Sequence, residues 1–112
     1  MKISLLSLYP DVQSFGLRTI SSCLKREGHK VDMFFLPREF RERYDEKTMN
    51  DLIKLTKDSD LVGITLMSNF WDNAIQVTRK IKEHYNIPVI WGGTHPTVRP
   101  DECLDHADMV CI

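Results

Sequence analysis

Three short stretches gather the residues best able to hold a ligand: "YPDVQSFG" (Tyr9 to Gly16), "MSNFWD" (Met67 to Asp72) and "GGTHPTV" (Gly92 to Val98). Each is rich in small or hydrogen-bonding residues. Two add aromatic rings that look exposed, Phe15 and the Phe70–Trp71 pair. Backbone amides, hydroxyls and ring faces in one place suit recognition of a ligand. The third stretch is the most pointed, because the apolar run Val89 to Trp91 leads directly into two adjacent glycines. A glycine pair there makes either a tight turn or a place where something large comes close to the backbone.

The elements around these stretches follow from periodicity. Apolar runs "ISLLSL" (Ile3 to Leu8), "VDMFFL" (Val31 to Leu36), "LVGITLM" (Leu61 to Met67), "VIW" (Val89 to Trp91) and "DMVCI" (Asp108 to Ile112) read as strands. Between them, Leu17, Ile20, Cys23 and Leu24 make one helical stripe, closed by Gly28. Met49, Leu52, Ile53 and Thr56 make a second, opened by Thr48 with Asp51 as a capping box. Ala74, Val77, Thr78, Ile81 and Tyr85 make a third, and a short helix is expected after Pro100. The run "PREFRERYDEK", with eight charged residues among eleven, reads as a solvated loop or frayed helix.

Near-continuous apolar strands alternating with helices predict an α/β fold with a parallel sheet covered on both faces. Right-handed crossovers then favour a flavodoxin-like, Rossmann-type three-layer sandwich with five strands in the order 2-1-3-4-5. The 112 residues make one domain, 1–112. The chain stops on a strand that a closing helix should cover, so the expectation is the N-terminal part of a longer protein.

Composition narrows the function. Lys and Arg number 15 against 16 Asp and Glu, a net charge of −1 that gives no electrostatic reason to expect nucleic acid or an anionic membrane. No apolar run is long enough to span a bilayer. The three cysteines, Cys23, Cys103 and Cys111, form no CxxC pair, which suggests neither a disulfide framework nor a metal site. A cytoplasmic location is the default. Cys103 and His106 stand three apart, but two such residues on a short surface helix do not make a metal site.

In an open α/β sheet the ligand sits beyond the carboxyl ends of the strands, where strand order reverses. The three stretches converge there. No GxxxxGK[ST] loop is present, and GxGxxG is absent after the first strand, against nucleotide phosphates and a nicotinamide cofactor. A phospho-receiver would need an Asp ending strand three, where this chain has "ITLM"; "PDVQSF" is a poor flavin mononucleotide loop.

Together the stretches resemble the cobalamin-binding domain, in the version found at the N-terminus of cobalamin-dependent radical SAM enzymes. Such domains carry D-x-H-x-x-G after strand one, S-x-L near the end of strand three and Gly-Gly after strand four. Here the first reads Asp11, Gln13, Gly16, with Gln in place of His; the second reads Thr65-Leu66-Met67; the third is intact at Gly92-Gly93. "GGTHPTVRPDECL" and "GLRTISSCLKREGHKVDMF" also resemble the radical SAM subgroup.

The resemblance implies roles. Gly92 and Gly93 would let the cofactor's long nucleotide tail pass close to the backbone, and Thr65 and Thr94 would offer hydroxyls beside it. The first helix, near Ser14 to Gly16, would offer free N–H groups. Phe15, Phe70 and Trp71 would pack on the corrin rim, and Met67, Ser68 and His95 complete the implied contacts. With Gln13 in place of the histidine, the cobalamin would be base-off with no protein imidazole below the cobalt. No catalytic residue and no protein metal ligand is implied. The implied whole is a module presenting the corrinoid to a C-terminal radical SAM domain of the same chain, which would bring S-adenosylmethionine and a [4Fe-4S] cluster. The CxxxCxxC motif of that cluster is absent from these residues, so the chain alone is not expected to catalyse a reaction. The rival readings are a docking module that kept the fold without the cofactor, and a nucleotide- or flavin-binding domain. Self-association through the uncovered last strand is a further expectation.

Overall fold

The structure, a computed structural model, describes residues 1–8, 15–36, 43–66 and 70–111. Five parallel strands, β1 (Lys2–Ser7), β2 (Lys30–Phe35), β3 (Leu61–Thr65), β4 (Val89–Gly92) and β5 (Met109–Val110), form one sheet in the order β2-β1-β3-β4-β5. Helices α1 (Phe15–Arg26), α2 (Glu46–Thr56), α3 (Trp71–His84), α4 (Thr94–Val98) and α5 (Pro100–Leu104) connect them. The expected flavodoxin-like α/β fold and strand order are those observed.

Two apolar clusters show which helix covers which face. Ile3, Leu5 and Val31 point to the side on which Leu17 and Leu24 of α1 pack. Leu6, Val62, Ile64, Val89 and Trp91 point to the other, against Met49, Leu52 and Ile53 of α2 and Ala74, Val77 and Ile81 of α3. Alternation along a strand explains the split. The α1 side stays thin over the far strands, because the helix residues packed on that side come from α1, beside β1 and β2. There Leu61 and Ile90 are half-buried, and Met109, paired with Ile90, is 41% exposed.

Local signals set most boundaries. Gly28, at φ 91°, ends α1 in a Schellman motif, its N–H on the Lys25 carbonyl and that of His29 on Leu24. Several expectations are corrected. The α1 stripe runs through Leu17, Ser21 and Leu24, while Ile20 is 47% exposed and Cys23 is exposed. Helix α2 begins a turn earlier than expected. Asp45, not Thr48, is its cap, accepting the Thr48 N–H at 2.8 Å. That start also places Glu46 at the positive end of the helix dipole. Strand β3 ends at Thr65, β5 is only two residues long, and Gly92 belongs to β4. Helix α4 was not expected.

The charged run hides an anchor. Tyr44 is buried, its hydroxyl donating to the Leu8 carbonyl at 2.7 Å, and its backbone exchanges two 2.9 Å hydrogen bonds with the Gln76 side chain. So the connection from β2 to α2 is tied to the carboxyl end of β1 and to α3.

Candidate functional site

At the carboxyl ends of the strands, one register row crosses the sheet as Phe35, Ser7, Thr65 and Gly92. Side chains at one register of a parallel sheet share a face, here the α1 side. Ser7 is fully buried and Thr65 half-buried. The row thus shrinks from an aromatic ring to hydroxyls to no side chain at all as it nears β4.

The strand-end turn is held by backbone. Leu66 N–H donates to the Gly92 carbonyl at 2.8 Å, and His95 N–H returns to the Leu66 carbonyl at 3.3 Å. The Thr97 hydroxyl donates to the Gly93 carbonyl at 2.8 Å. Gly93 itself has φ 109°, and a Cβ placed on it would lie 2.9 Å from the Leu66 oxygen and 3.1 Å from both the Leu66 nitrogen and Thr65 Oγ1. Its lack of a side chain is therefore demanded by the turn and by the close packing of β4 on β3. Gly92 differs. A Cβ there would make only ordinary contact with Cys111, at 3.6 Å. Gly16, in the first turn of α1, would meet nothing within 4 Å. Neither the fold nor the packing asks for glycine at these two positions.

Phe70 and Trp71, two of the aromatics expected to face a ligand, make contacts within the fold. Phe70 is 5% exposed and belongs to the core, a correction to its expected exposure. Trp71 is half-buried, with its ring 5.6 Å from Trp91, 4.8 Å from His95 and 5.4 Å from His106. His95 Nε2 lies 3.5 Å from Glu102 Oε2, so His95 joins α4 to both α3 and α5.

Cys103 is buried in the core, and that burial, helped by the neighbouring Glu102 carboxylate, pushes its thiol above its ordinary pKa. A thiol held protonated is a poor nucleophile or ligand. Its helix partner in sequence, His106, lies beyond α5 and stacks on Trp91 at 5.9 Å and 13°. Among the described residues, no group of three or more His, Cys, Asp or Glu is placed to hold a metal ion. Likewise, no helix of the described residues is long and apolar enough to cross a membrane.

Of the residues singled out by sequence, Thr65, Gly92, Gly93 and His95 come together at the ends of β3 and β4, and Gly16 opens α1. Asp11, Gln13, Ser14, Met67 and Ser68 lie outside the described residues, as do the side chains of Phe15 and Thr94. Sequence reasoning missed Tyr44, whose one signal was an aromatic ring inside an otherwise charged run.

Comparison with solved structures gives a likeness at TM-score 0.59 and 15% identity to a protein titled as a yeast trimeric coiled-coil segment fused to another protein. The match covers 99% of this chain and 65% of that one, so this chain spans just under two thirds of its length; the likeness bears on the fold alone. No curated protein matches. The family model of the B12 binding domain, however, matches residues 1–112. With the 2-1-3-4-5 sheet and a small-residue row at its strand ends, the chain belongs to the B12-binding domain family, the cobalamin-binding modules.

Proposed function

We propose that this cobalamin-binding module serves a radical SAM enzyme, a methyltransferase or a related enzyme that modifies rings or carbon–carbon bonds, by presenting the corrinoid to a catalytic domain that follows it. The observation that carries the binding site is the contrast among the glycines. Gly92 stands at the end of β4 and Gly16 in the first turn of α1, and a Cβ would be accommodated at both, although glycine costs about 0.5–1 kcal/mol relative to alanine in regular structure. A bulky group approaching the backbone accounts for both.

The residues at the strand ends fit such a group. Gly92 leaves the end of β4 bare, Thr65 brings a half-buried hydroxyl to the neighbouring strand end, and the α1 face beside them carries only partly covered Leu61 and Ile90. The loop Asp11 to Gly16 and the pair Met67–Ser68 would complete the contacts, with Thr94 and His95 on the far side of the turn. When bound, cobalamin supplies a cobalt centre suited to methyl transfer. Gln13 offers no imidazole, so a cobalamin held here would receive no nitrogen ligand from that position. The S-adenosylmethionine, the [4Fe-4S] cluster and the cytoplasmic setting belong to the proposed full-length enzyme. The subgroup likeness of "GGTHPTVRPDECL" supports that parentage.

Titration with methylcobalamin, followed by its visible absorption, tests the site. The wild type should bind, and Gly92→Val should lose at least about tenfold in affinity, equal to 1.4 kcal/mol, while its far-ultraviolet circular dichroism stays native. No uptake by the wild type would favour the docking module instead. Parentage is tested separately, by iron and acid-labile sulfide in the full-length protein and by its cleavage of S-adenosylmethionine.

A further inference from the structure

Two tyrosines are joined to backbone carbonyls through their hydroxyls. Tyr85, just past α3 on the approach to β4, donates to Ile53 of α2 at 2.8 Å. Tyr44, just ahead of α2, donates to Leu8 at the carboxyl end of β1 at 2.7 Å. We propose that Tyr44 is a positioning residue for the cobalamin site, its hydroxyl fixing the point where the chain leaves β1 beside Thr65 and Gly92. The proposal rests on the cobalamin reading and adds to it a residue that lies outside all three binding motifs.

The ring of Tyr44 has a simpler use. It stands directly before the N-cap Asp45, where an apolar side chain can pack over the first turn of a helix, and it shares a buried cluster with Met49 of α2. Phenylalanine would serve that purpose. Burying a hydroxyl costs free energy unless it finds a partner, and here the partner is the carbonyl of Leu8, itself a buried residue. The backbone of Tyr44 is held as well. Its N–H donates to Gln76 Oε1 and its carbonyl accepts from Gln76 Nε2, both at 2.9 Å, so Gln76 on α3 fixes where the tyrosine stands.

Leu8 lies one residue past the row that forms the site. The Ser7 carbonyl accepts the Leu36 N–H at 2.9 Å from the β2 side, and Ser7 is in register with Thr65, as Thr65 is with Gly92. At the next carbonyl the donor is a side chain, the Tyr44 hydroxyl. From Leu8 the chain crosses to α1, whose first turn holds Gly16. A cofactor seated on Thr65 and Gly92 thus meets an end of β1 whose direction Tyr44 sets. The hydrogen bond belongs to the binding-competent arrangement, so deleting the hydroxyl lowers the competent fraction and with it the apparent affinity. One such bond is worth about fivefold in an equilibrium.

The test is methylcobalamin titration of the full chain, followed by visible absorption, with Tyr44→Phe set against Tyr85→Phe as its matched control. Each variant keeps its ring and loses one hydroxyl-to-carbonyl hydrogen bond, so each should unfold at a lower urea concentration than wild type. Only Tyr44→Phe should bind more weakly, by about fivefold, with native far-ultraviolet circular dichroism. Gln76→Leu, which frees the Tyr44 backbone, should weaken binding in the same direction. Adding it to Tyr44→Phe should cost less than it does in wild type, because both act through the Leu8 carbonyl. Binding by Tyr44→Phe that equals wild type, a loss shared equally by Tyr85→Phe, or full additivity with Gln76→Leu overturns the proposal. In the first case the hydroxyl serves stability alone, and in the second affinity merely follows stability. No uptake by wild type removes the cobalamin reading and the proposal with it, whereas uptake by wild type with no loss in Tyr44→Phe removes the proposal alone.

Discussion

Gly93 has no room for a side chain because of Leu66: a Cβ at φ 109° would sit 2.9 Å from the Leu66 carbonyl oxygen. Backbone cannot yield as the end of a flexible side chain does, so Gly93→Ala combines left-handed strain with a steric clash. It should destabilise the domain by about 2–4 kcal/mol. Gly92→Ala should stay within about 1 kcal/mol of wild type. Urea unfolding of both variants measures the contrast, and equal losses would contradict the geometry.

Trp91 is fully buried, and its indole N–H donates to Thr78 Oγ1 at 2.9 Å. Thr78→Val keeps the shape and strands the donor, so it should cost about 1–3 kcal/mol. Urea unfolding of Thr78→Val, with Thr78→Ser as the variant that restores the acceptor, checks this.

Asp108 holds the entry to β4 from the far edge. It accepts from Lys82 Nζ at 2.6 Å and from the Val89 N–H at 2.8 Å. The Lys82 hydrogen bond first, and then the Val89 one, hold its carboxyl below its ordinary value of 3.8, against an opposing push from burial. A depressed folded pKa contributes stability that is present above the unfolded value and lost as pH falls through the folded one. Asp108→Asn should therefore be less stable than wild type at neutral pH, by under about 1 kcal/mol because the pair is partly exposed. The gap should close below about pH 4. Melting temperatures across that range would show it, and a gap that persists in acid would mean the carboxylate charge is irrelevant.

The thin cover on the α1 side should make the chain self-associate. Met109, paired with half-buried Ile90, is 41% exposed, and Ile20 on α1 is 47% exposed. Sedimentation velocity should show a concentration-dependent increase in size that Met109→Lys reduces.

Gln13, outside the described residues, is the residue proposed to stand where related domains would offer a histidine to a bound corrinoid. Electron paramagnetic resonance of the cobalt(II) form should show no axial nitrogen splitting in wild type, and Gln13→His should introduce it. Splitting already present in wild type would contradict the assignment of Gln13 to that face.

Much of the fold was legible because it rests on repeated signals. Five apolar runs and three helical stripes fix a parallel sheet, and the glycine at position 28 carries its own conformational reason. What was not legible depends on direction. Ile20 and Cys23 have helical spacing as good as that of Ser21, but the angle at which α1 meets the sheet chose the serine. Phe70 reads as exposed in sequence, yet it lies in the core at the start of α3, while Trp71 beside it is half-buried against two histidines. Tyr44 was hidden by its charged neighbours, since its partners Leu8 and Gln76 are distant in sequence.

The different constraints on the two adjacent glycines bear on how this domain would diverge. Gly93 is tied to the geometry of the β4 turn, so a lineage that abandoned its corrinoid would still be obliged to keep it. At Gly92 the fold leaves room for a Cβ, so on the proposed reading of the site such a lineage could replace it. In sequence relatives of this protein, then, the first glycine of the pair should follow the proposed cofactor site, and the second should follow the fold.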